Sequence, residues 1–335
     1  MRTTTRWTMA AVVMAMLALA LPASAAEDYS VPCSGRGGGV DGLRAAITAA
    51  NRARGGNILL EPGCTYVLTK VDNVGGGGAN GLPVIHAPMT IGAQSDRGPL
   101  GFLGIDIGLG GDDDGPARIV RSGEPRTPDF RLLDVGSEGS LTLSMVDLVG
   151  GRSTSSGAAI RSAGGDLRIS YAKVEGNTVA AAAGVGTGAV AGGAIATTGK
   201  LALSYSHVVR NRAEGDTVVG GGVSAGSLTM SYSDIKANTA AGVAKGNGGG
   251  VATTGAVELR YSDVADNKLT VSAGPARGGG IDAEGAVKLD YSHVTGNTAT
   301  GTPASAGGVY SKTKFSGSSY TTEKNAPTDC EAPGC

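Results

Sequence analysis

The sequence predicts an all-β fold, a parallel β-helix with a short N-terminal capping helix, and three observations support this prediction. The first is a phrase that recurs six times between Leu141 and Val309 and is clearest in residues 201–211 and 287–297. In its five strong copies, the apolar first residue and a final Asn are separated by the same ten steps. Self-similarity at a spacing of roughly 30 residues is typical of a solenoid.

A glycine phrase and the composition are the second and third observations. Glycine precedes Val or Ile, directly or across one Ala, in residues 193–195, 222–223, 250–251, 280–281 and 308–309. Aromatic residues make up only 4% of the chain, so a core must be built from Val, Ile, Leu and Ala. Such a composition suits narrow stacked coils better than a broad globular core.

The apolar pattern inside the phrase predicts a bend. Leu201 and Leu203 stand at positions one and three, as in a strand with one buried face, whereas Val208 at position eight breaks the alternation. The chain must therefore turn between positions three and eight, where a Tyr and a Ser follow each other. Short strands joined by bends predict β-helix coils that stack about 4.8 Å apart.

The Asn that closes the phrase is interpreted as structural. We expect these residues to adopt left-handed turn geometry and to hydrogen-bond one another in an amide ladder. The column comprises Asn177, Asn211, Asn238, Asn267 and Asn297.

The chain divides into five segments along its length. We expect a signal peptide at 1–26, an N-terminal cap at 27–70, first coils with loop insertions at 71–140, regular repeats at 141–311 and a C-terminal cap at 312–335. Arg2 and Arg6 precede an apolar run, and an Ala-Ser-Ala cleavage site ends at Ala25. This pattern predicts a secreted, extracellular protein, with a retained membrane anchor as the alternative. The run is too short to span a bilayer well, and no later segment is a better candidate.

The N-terminal cap contains the one clear helical pattern. Asp41 is the expected N-cap, and Leu43, Ala46, Ile47 and Ala50 fall on one face at helical spacing. A helix here would cover the open end of a parallel sheet, whose unpaired edge otherwise invites aggregation.

Four cysteines lie near the two ends of the chain. In an oxidising compartment, Cys33, Cys64, Cys330 and Cys335 allow three pairings. Their clustering favours Cys33 with Cys64 and Cys330 with Cys335, and a metal site is the alternative.

Charge and composition exclude several classes of function. The formal net charge is −1 and neither sign dominates, which argues against a nucleic-acid or anionic-membrane partner. The 58 glycines lack an every-third spacing, so the chain is not collagen-like. The oligomeric state is not predicted.

Three stretches of the sequence resemble known β-helix proteins. Gly193-Ala-Ile195 followed by the Asn phrase resembles the repeats of polymorphic outer-membrane-protein-type β-helices. Residues 33–68, and Phe130-Arg-Leu-Leu running into Leu141-Thr-Leu, look like secreted bacterial proteins of the pectate-lyase-like superfamily. The resemblance implies a right-handed coil with three short sheets. Enzymes of this kind abstract a proton beside carboxylate-bound Ca²⁺, or hydrolyse with paired Asp residues.

The seventh position of the phrase supplies the candidate catalytic residues. Asp234 and Asp263 would stand one coil apart, flanked by His207 and His293, and two carboxylates at such a spacing resemble an acid/base or cation site. The Asp-Gly, Gly-His-Gly and Arg-Ile-Lys phrases of the glycosidases are absent. A surface ladder of alternating charge is the alternative interpretation.

The fifth position supplies the candidate binding residues. If the side chains point outward, five rings line about 20 Å of surface and could contact sugars or a protein partner. If they point inward, they belong to the core. The column comprises Tyr171, Tyr205, Tyr232, Tyr261 and Tyr291.

Calcium is the one cofactor that the sequence suggests. Asp112, Asp113 and Asp114 form the densest acidic cluster and could ligate Ca²⁺, although they lack the spaced carboxylates of a defined calcium loop. A solvated turn is the alternative, and no cofactor is required by any other motif. We therefore expect a non-catalytic extracellular scaffold or binding module for polysaccharides or proteins, with a polysaccharide lyase or glycoside hydrolase as the alternative.

Overall fold

The structure, a computed structural model, describes residues 26–93, 115–181 and 188–335. Within these ranges the chain forms a parallel β-solenoid, which confirms the predicted all-β fold class. Residues 1–25 of the expected signal peptide and the Asp112–Asp114 cluster lie outside the described residues.

The N-terminal cap is built around one helix, α1 (Gly39–Arg52). The predicted face is correct, because Leu43, Ala46, Ile47 and Ala50 are all buried. The predicted start is wrong: Asp41 lies inside the first turn, and Gly38 is the N-cap residue. An acidic residue in the first turn still interacts favourably with the helix dipole, so Asp41 keeps its helix-start character without capping.

Each regular coil contributes one strand to three of four long parallel sheets and one or two strands to the fourth, whereas the resemblance implied three sheets. Sheet 1 contains the apolar opening of the repeated phrase, and its strands are Asp28–Val31, Gly56–Leu60, Pro88–Ala93, Ser140–Ser144, Leu167–Ser170, Lys200–Ser204, Ser227–Ser231, Val257–Arg260, Val287–Asp290 and Phe315–Ser318. Sheet 2 contains positions seven to nine, and its strands are Thr65–Leu68, Ala117–Arg121, Val146–Val149, Lys173–Glu175, His207–Val209, Asp234–Lys236, Asp263–Ala265, His293–Thr295 and Thr321–Glu323.

The other two sheets complete the coil. Sheet 3 follows the Asn and comprises Arg152–Ser153, Thr178–Ala180, Ala189–Ala191, Arg212–Val219, Thr239–Asn247, Lys268–Val271, Ala276–Arg277, Thr298–Thr300 and Ala304–Ser305. Sheet 4 contains the glycine phrase and comprises Leu133–Val135, Ile160–Ser162, Ile195–Thr197, Val223–Ala225, Val251–Thr253, Ile281–Ala283, Val309–Ser311 and Cys330–Glu331. A separate antiparallel hairpin pairs Asn73–Gly75 with Gly78–Asn80.

Left-handed backbone conformations make two of the corners in each coil. The first lies at position five, between sheets 1 and 2, where Tyr205 has a φ of 49°. The second lies at position ten, between sheets 2 and 3, where Arg210 has a φ of 54°. The predicted left-handed Asn is therefore displaced by one residue, since the turn is made by the residue before the Asn.

The predicted amide ladder is confirmed and is longer than the sequence suggested. In each step the backbone N–H and the Nδ2 of one Asn donate to Oδ1 of the next, as from Asn211 to Asn238 at 2.9 and 3.0 Å. The Nδ2 also donates backwards to a backbone carbonyl, that of Val208 in the case of Asn238. Asn325 forms a sixth rung, because Asn297 donates to its Oδ1. These bonds satisfy polar groups that are fully buried inside the corner.

The ladder explains why the glycine phrase accompanies the Asn phrase. A Cβ placed on Gly250 would lie 2.9 Å from Cγ of Asn267 and 2.9 Å from the carbonyl oxygen of Gly280. Glycine is needed here for space, so that the chain can pass directly over the amide group. The two phrases are thus the two sides of one packed corner.

The interior of the solenoid is apolar, and the inward Leu, Ile and Val residues of sheets 1, 2 and 4 form one continuous cluster. A smaller cluster lies inside the extended part of sheet 3, around Val218, Ala240 and Leu269. The N-terminal helix and two disulfides, Cys33–Cys64 and Cys330–Cys335, close the ends, which confirms the favoured pairing.

Candidate functional site

The five tyrosines of position five form a ladder along the corner between sheets 1 and 2. Successive ring centroids are 4.9 Å apart, and the ring planes differ by 1° to 9°. Tyr205, Tyr232, Tyr261 and Tyr291 are between 45% and 51% exposed. The side chains therefore point outward, as one of the two sequence interpretations required. We call this row, Tyr171 to Tyr291, the tyrosine ladder.

The backbone of this corner does not itself demand tyrosine. All five residues are left-handed, with φ between 49° and 52°, a conformation that is unusual for a bulky side chain. The other left-handed corner has the same conformation but variable residues, with Gly176, Arg210, Ala237, Asp266 and Gly296 at its five positions. Tyrosine thus recurs because of its side chain and not because of the turn.

Ring geometry limits what the ladder can contact. At a centroid separation of 4.9 Å, each inner ring has a neighbour against both faces, so its faces are covered. Solvent meets ring edges and the phenol groups, which can donate and accept hydrogen bonds. The expectation that sugars stack on a row of open aromatic faces therefore does not apply to the inner rings.

Sheet 1 provides a row of hydroxyl groups on one side of the ladder. Position four, immediately before each tyrosine, is Ser170, Ser204 and Ser231 in three successive coils, then Arg260 and Asp290. A shallow hollow of about 220 Å³ on this sheet is bordered by Thr229, Met230, Ser231, Glu258, Leu259, Arg260, Lys288 and Asp290. Of these, Met230 and Leu259 have buried side chains.

Sheet 2 provides the predicted Asp/His column on the other side. Asp234 and Asp263 are direct partners in adjacent strands, and Asp263 is paired in register with His293. Nδ1 of His207 lies 2.9 Å from Oδ2 of Asp234. The structure therefore brings the four candidate catalytic residues into one row, as the phrase predicts.

A lysine that the sequence reasoning did not consider neutralises the paired carboxylates. Lys236 Nζ lies 3.0 Å from Oδ2 of Asp263 and 3.4 Å from Oδ1 of Asp234. Burial by itself lowers the pKa of Lys236, but the hydrogen bond to Asp263 and the charge of Asp234 outweigh burial and raise it. One cation therefore engages both carboxylates of the predicted pair. The arrangement is typical of a surface ion-pair network.

Asp147 begins the same column and differs from the other members. Burial raises its pKa, although its Oδ1 accepts a hydrogen bond of 2.8 Å from the backbone N–H of Lys173. That bond joins two successive coils, so Asp147 contributes to register at the start of the ladder.

Two buried charged groups elsewhere were not predicted. Arg131 is fully buried, and burial lowers its pKa to about 10. Its guanidinium donates to Asn80 Oδ1 at 2.9 Å and to backbone carbonyls of Ser156 and Gly157. Arg131 thus fastens the Asn73–Asn80 hairpin to the first coils. Nothing in its sequence context distinguishes it from an exposed arginine.

The second unpredicted group is Asp282 on the outer face of sheet 4. It is 2% exposed, and burial raises its pKa to about 6. Its partner is Arg277, whose Nε lies 3.3 Å from Oδ2 of Asp282 and whose guanidinium packs over the Tyr310 ring. Glu284 and Lys312 extend the cluster towards solvent.

The described residues offer little for a metal ion. Cys33, Glu61 and Cys64 lie close together, but the two sulfur atoms form a disulfide and are not thiolate ligands. The alternative that the cysteines bind metal is therefore wrong for this pair. Calcium at Asp112–Asp114 stays a prediction, because that cluster lies outside the described residues.

Comparisons with protein-family profiles, curated proteins and solved structures found no match for this chain. In the described part of the chain, no helix has the length and apolar character needed to cross a membrane. The conclusion that the structure supports directly is the fold: the chain is a parallel β-solenoid with an outward-facing tyrosine ladder.

Proposed function

We propose that this protein is an exported, non-catalytic binding module whose tyrosine ladder contacts an extracellular polysaccharide or protein surface. The observation that carries the proposal is the contrast between the two left-handed corners. The same backbone accepts Gly, Arg, Ala and Asp at one corner, yet holds tyrosine five times at the other. Exposed tyrosines in an unbroken row are typical of contact surfaces, where an amphipathic ring can pack and hydrogen-bond at once.

Export and family membership belong to the same proposal. The signal-like first 26 residues support secretion, and two disulfides are typical of an oxidising compartment. The coiled fold and the repeated phrases support placement among secreted bacterial β-helix proteins of the pectate-lyase-like superfamily, with repeats of the polymorphic outer-membrane-protein type.

The test is a binding screen of the mature protein against a glycan array and extracellular protein fractions. Tyr232→Ala should lower binding, since it breaks the ladder at its centre. Ala237 has the same left-handed conformation at the other corner of this coil, so alanine is compatible with the backbone conformation of Tyr232. Asp266→Ala, at the corner of the next coil, is the matched control and should bind like wild type. Equal binding by Tyr232→Ala and wild type would refute the proposal.

A carbohydrate-active enzyme is the second candidate, because Asp234 and Asp263 do lie on adjacent coils beside His207. A screen on pectin, alginate and related polymers, with and without Ca²⁺, tests it. Activity that is lost in Asp234→Asn or Asp263→Asn would replace the binding proposal with this one.

A further inference from the structure

The tyrosine ladder gathers the oxidisable side chains of the mature protein at one corner. The single tryptophan, Trp7, lies within the expected signal peptide, and all four cysteines are paired in disulfides. The mature chain therefore has neither an indole nor a free thiol, so a phenol is the group from which a single electron is most easily removed. Five of the nine tyrosines of the chain belong to the ladder.

The backbone holds neighbouring rings of the ladder one coil apart. The N–H of each ladder tyrosine donates to the carbonyl oxygen of position four in the next coil, as from Tyr205 to Ser231 and from Tyr232 to Arg260. The rings repeat this spacing, with centroids 4.9 Å apart and planes within 9° of parallel. Each phenol therefore has a second phenol at a fixed, short separation.

The outer edges of these rings are open to solvent. Tyr205, Tyr232, Tyr261 and Tyr291 are about half exposed. In the ranges that the structure describes, the phenol groups of these four residues make no hydrogen bond to another side chain or to the backbone. An oxidant outside the protein can therefore reach the phenols, and water can accept the protons that they release.

The tyrosines outside the ladder lack this arrangement. Tyr66 is buried and donates to the carbonyl oxygen of Val31 at 2.6 Å. Tyr320 is 39% exposed, but its ring meets that of Phe315 edge-on. Within the described residues, the contacts between two tyrosine rings are those of the ladder. Coupling of two phenols inside one chain is therefore favoured only along this corner.

We propose that the tyrosine ladder is a site of oxidative cross-linking, at which a haem peroxidase with hydrogen peroxide couples neighbouring rings to dityrosine. Each of two phenols loses one electron to the peroxidase and one proton to water, which gives two phenoxyl radicals. A carbon–carbon bond forms between one ortho carbon of each ring, and the hydrogen on each of these carbons moves to the oxygen, which restores both phenols. The two electrons and two protons reduce one hydrogen peroxide to two water molecules.

The link stabilises a part of the fold that has no disulfide. Both disulfides lie at the ends of the chain, and residues 141–311 contain no cysteine. Each dityrosine joins two successive coils and closes a loop of one coil, which restricts the unfolded chain as a disulfide does. The inference goes beyond the binding proposal and does not depend on it, because coupling requires no bound ligand.

The test compares two double variants of the mature protein, treated in dilute solution with a haem peroxidase and hydrogen peroxide. Tyr205→Phe/Tyr261→Phe keeps five stacked rings but leaves no two phenols on neighbouring coils. Tyr29→Phe/Tyr320→Phe removes the same number of phenols outside the ladder and is the matched control. Dityrosine fluorescence measures the yield, and mass spectrometry of digests locates the linked peptides by the loss of two hydrogen atoms per link.

We expect wild type and the control to form dityrosine within single chains, between neighbouring ladder tyrosines. Tyr205→Phe/Tyr261→Phe should lose these links and retain the circular dichroism spectrum of the wild type. An unchanged yield in this variant overturns the inference, and so do wild-type links that join two chains or involve Tyr29 or Tyr320. Wild-type protein that forms no dityrosine under conditions that couple N-acetyltyrosine amide also overturns it. If the variant misfolds, the positions of the wild-type links decide the question by themselves.

Discussion

Asn238→Ala tests the amide ladder at its centre. The Asn238 side chain takes part in four hydrogen bonds of 2.9 to 3.0 Å, two through Oδ1 and two through Nδ2. Truncation leaves the backbone N–H of Asn211 without its acceptor in a corner where both residues are at most 1% exposed. Two of the other partners keep one further bond each, because Asn211 Nδ2 still donates to Val174 and Asn267 Oδ1 still accepts from the Asn238 backbone.

The expected loss follows from these bonds. One orphaned buried N–H costs about 1–3 kcal/mol, and each of the three other bonds contributes roughly 0.5–1.5 kcal/mol net, so the free energy of unfolding should fall by about 2.5–7.5 kcal/mol. Urea titration of the oxidised mature protein, followed by circular dichroism, measures this change. Asn57→Ala is the control, since Asn57 makes only an exposed side-chain bond to Asp28. We expect the control to change stability by less than about 1 kcal/mol.

The amide ladder also predicts that substitutions of two neighbouring Asn residues are not additive. In Asn238→Ala/Asn267→Ala, the bond between the two side chains is lost only once, so the combined loss should fall short of the sum by about 1 kcal/mol. If Asn238→Ala is no more destabilising than Asn57→Ala, with the same slope of unfolding free energy against urea, the ladder does not stabilise the fold as argued.

Three further predictions concern stability. The pKa of Asp282 in the folded state, about 6, is raised above its usual value, so the folded state gains stability as pH falls from about 7 to about 4. Asp282→Asn should remove about 2–3 kcal/mol of that gain. A variant with the pH dependence of the wild type would contradict the assignment. Gly250→Ala should destabilise the protein by about 1–3 kcal/mol, because the added methyl group overpacks against the amide ladder. Gly123→Ala is the control, since Gly123 has open space around it. Equal urea midpoints for the two variants would contradict the overpacking argument. Replacing Cys33 and Cys64 with serine should lower stability by about 4 kcal/mol, and replacing Cys330 and Cys335 by about 2 kcal/mol. The difference arises because the paired cysteines are 31 and 5 positions apart, so the first disulfide closes the longer loop. The reverse order of melting temperatures would refute the loop argument.

The sequence predicted those parts of the fold that repeat. Each Asn recurs at the same position of the repeated phrase, because a side chain that stacks on copies of itself must repeat in the sequence once per coil. The left-handed turn before each Asn leaves none, because its residues range from Gly176 to Arg210 and Asp266. Arg131 was missed for a related reason: it is buried by the hairpin of residues 73–80, which belongs to no repeat and pairs with it across 51 positions.

The candidate site was predicted in position but not in contact geometry. The spacing of the phrase placed Asp234 above Asp263 and the tyrosines in one row, since register follows from the repeat. It could not show that Lys236 reaches both carboxylates, because one long side chain can pair along its strand or across it. Nor could it show that ring planes lie face to face, which depends on side-chain torsions and decides whether faces or edges meet a ligand.

The amide ladder has a direction. Every side-chain Oδ1 of the ladder points towards the N-terminal end and accepts, while the backbone N–H and one N–H of Nδ2 donate towards the C-terminal end. The amide dipoles therefore add along the corner as peptide dipoles add along a helix. The row begins with a backbone donor, the N–H of Gly151, which needs no rung before it. It ends where Asn325 donates twice to one carboxylate oxygen of Asp329, a group that accepts and has nothing to donate. A negative charge thus stands at the positive end of the row, and no unsatisfied donor is left there to recruit a further coil from another molecule.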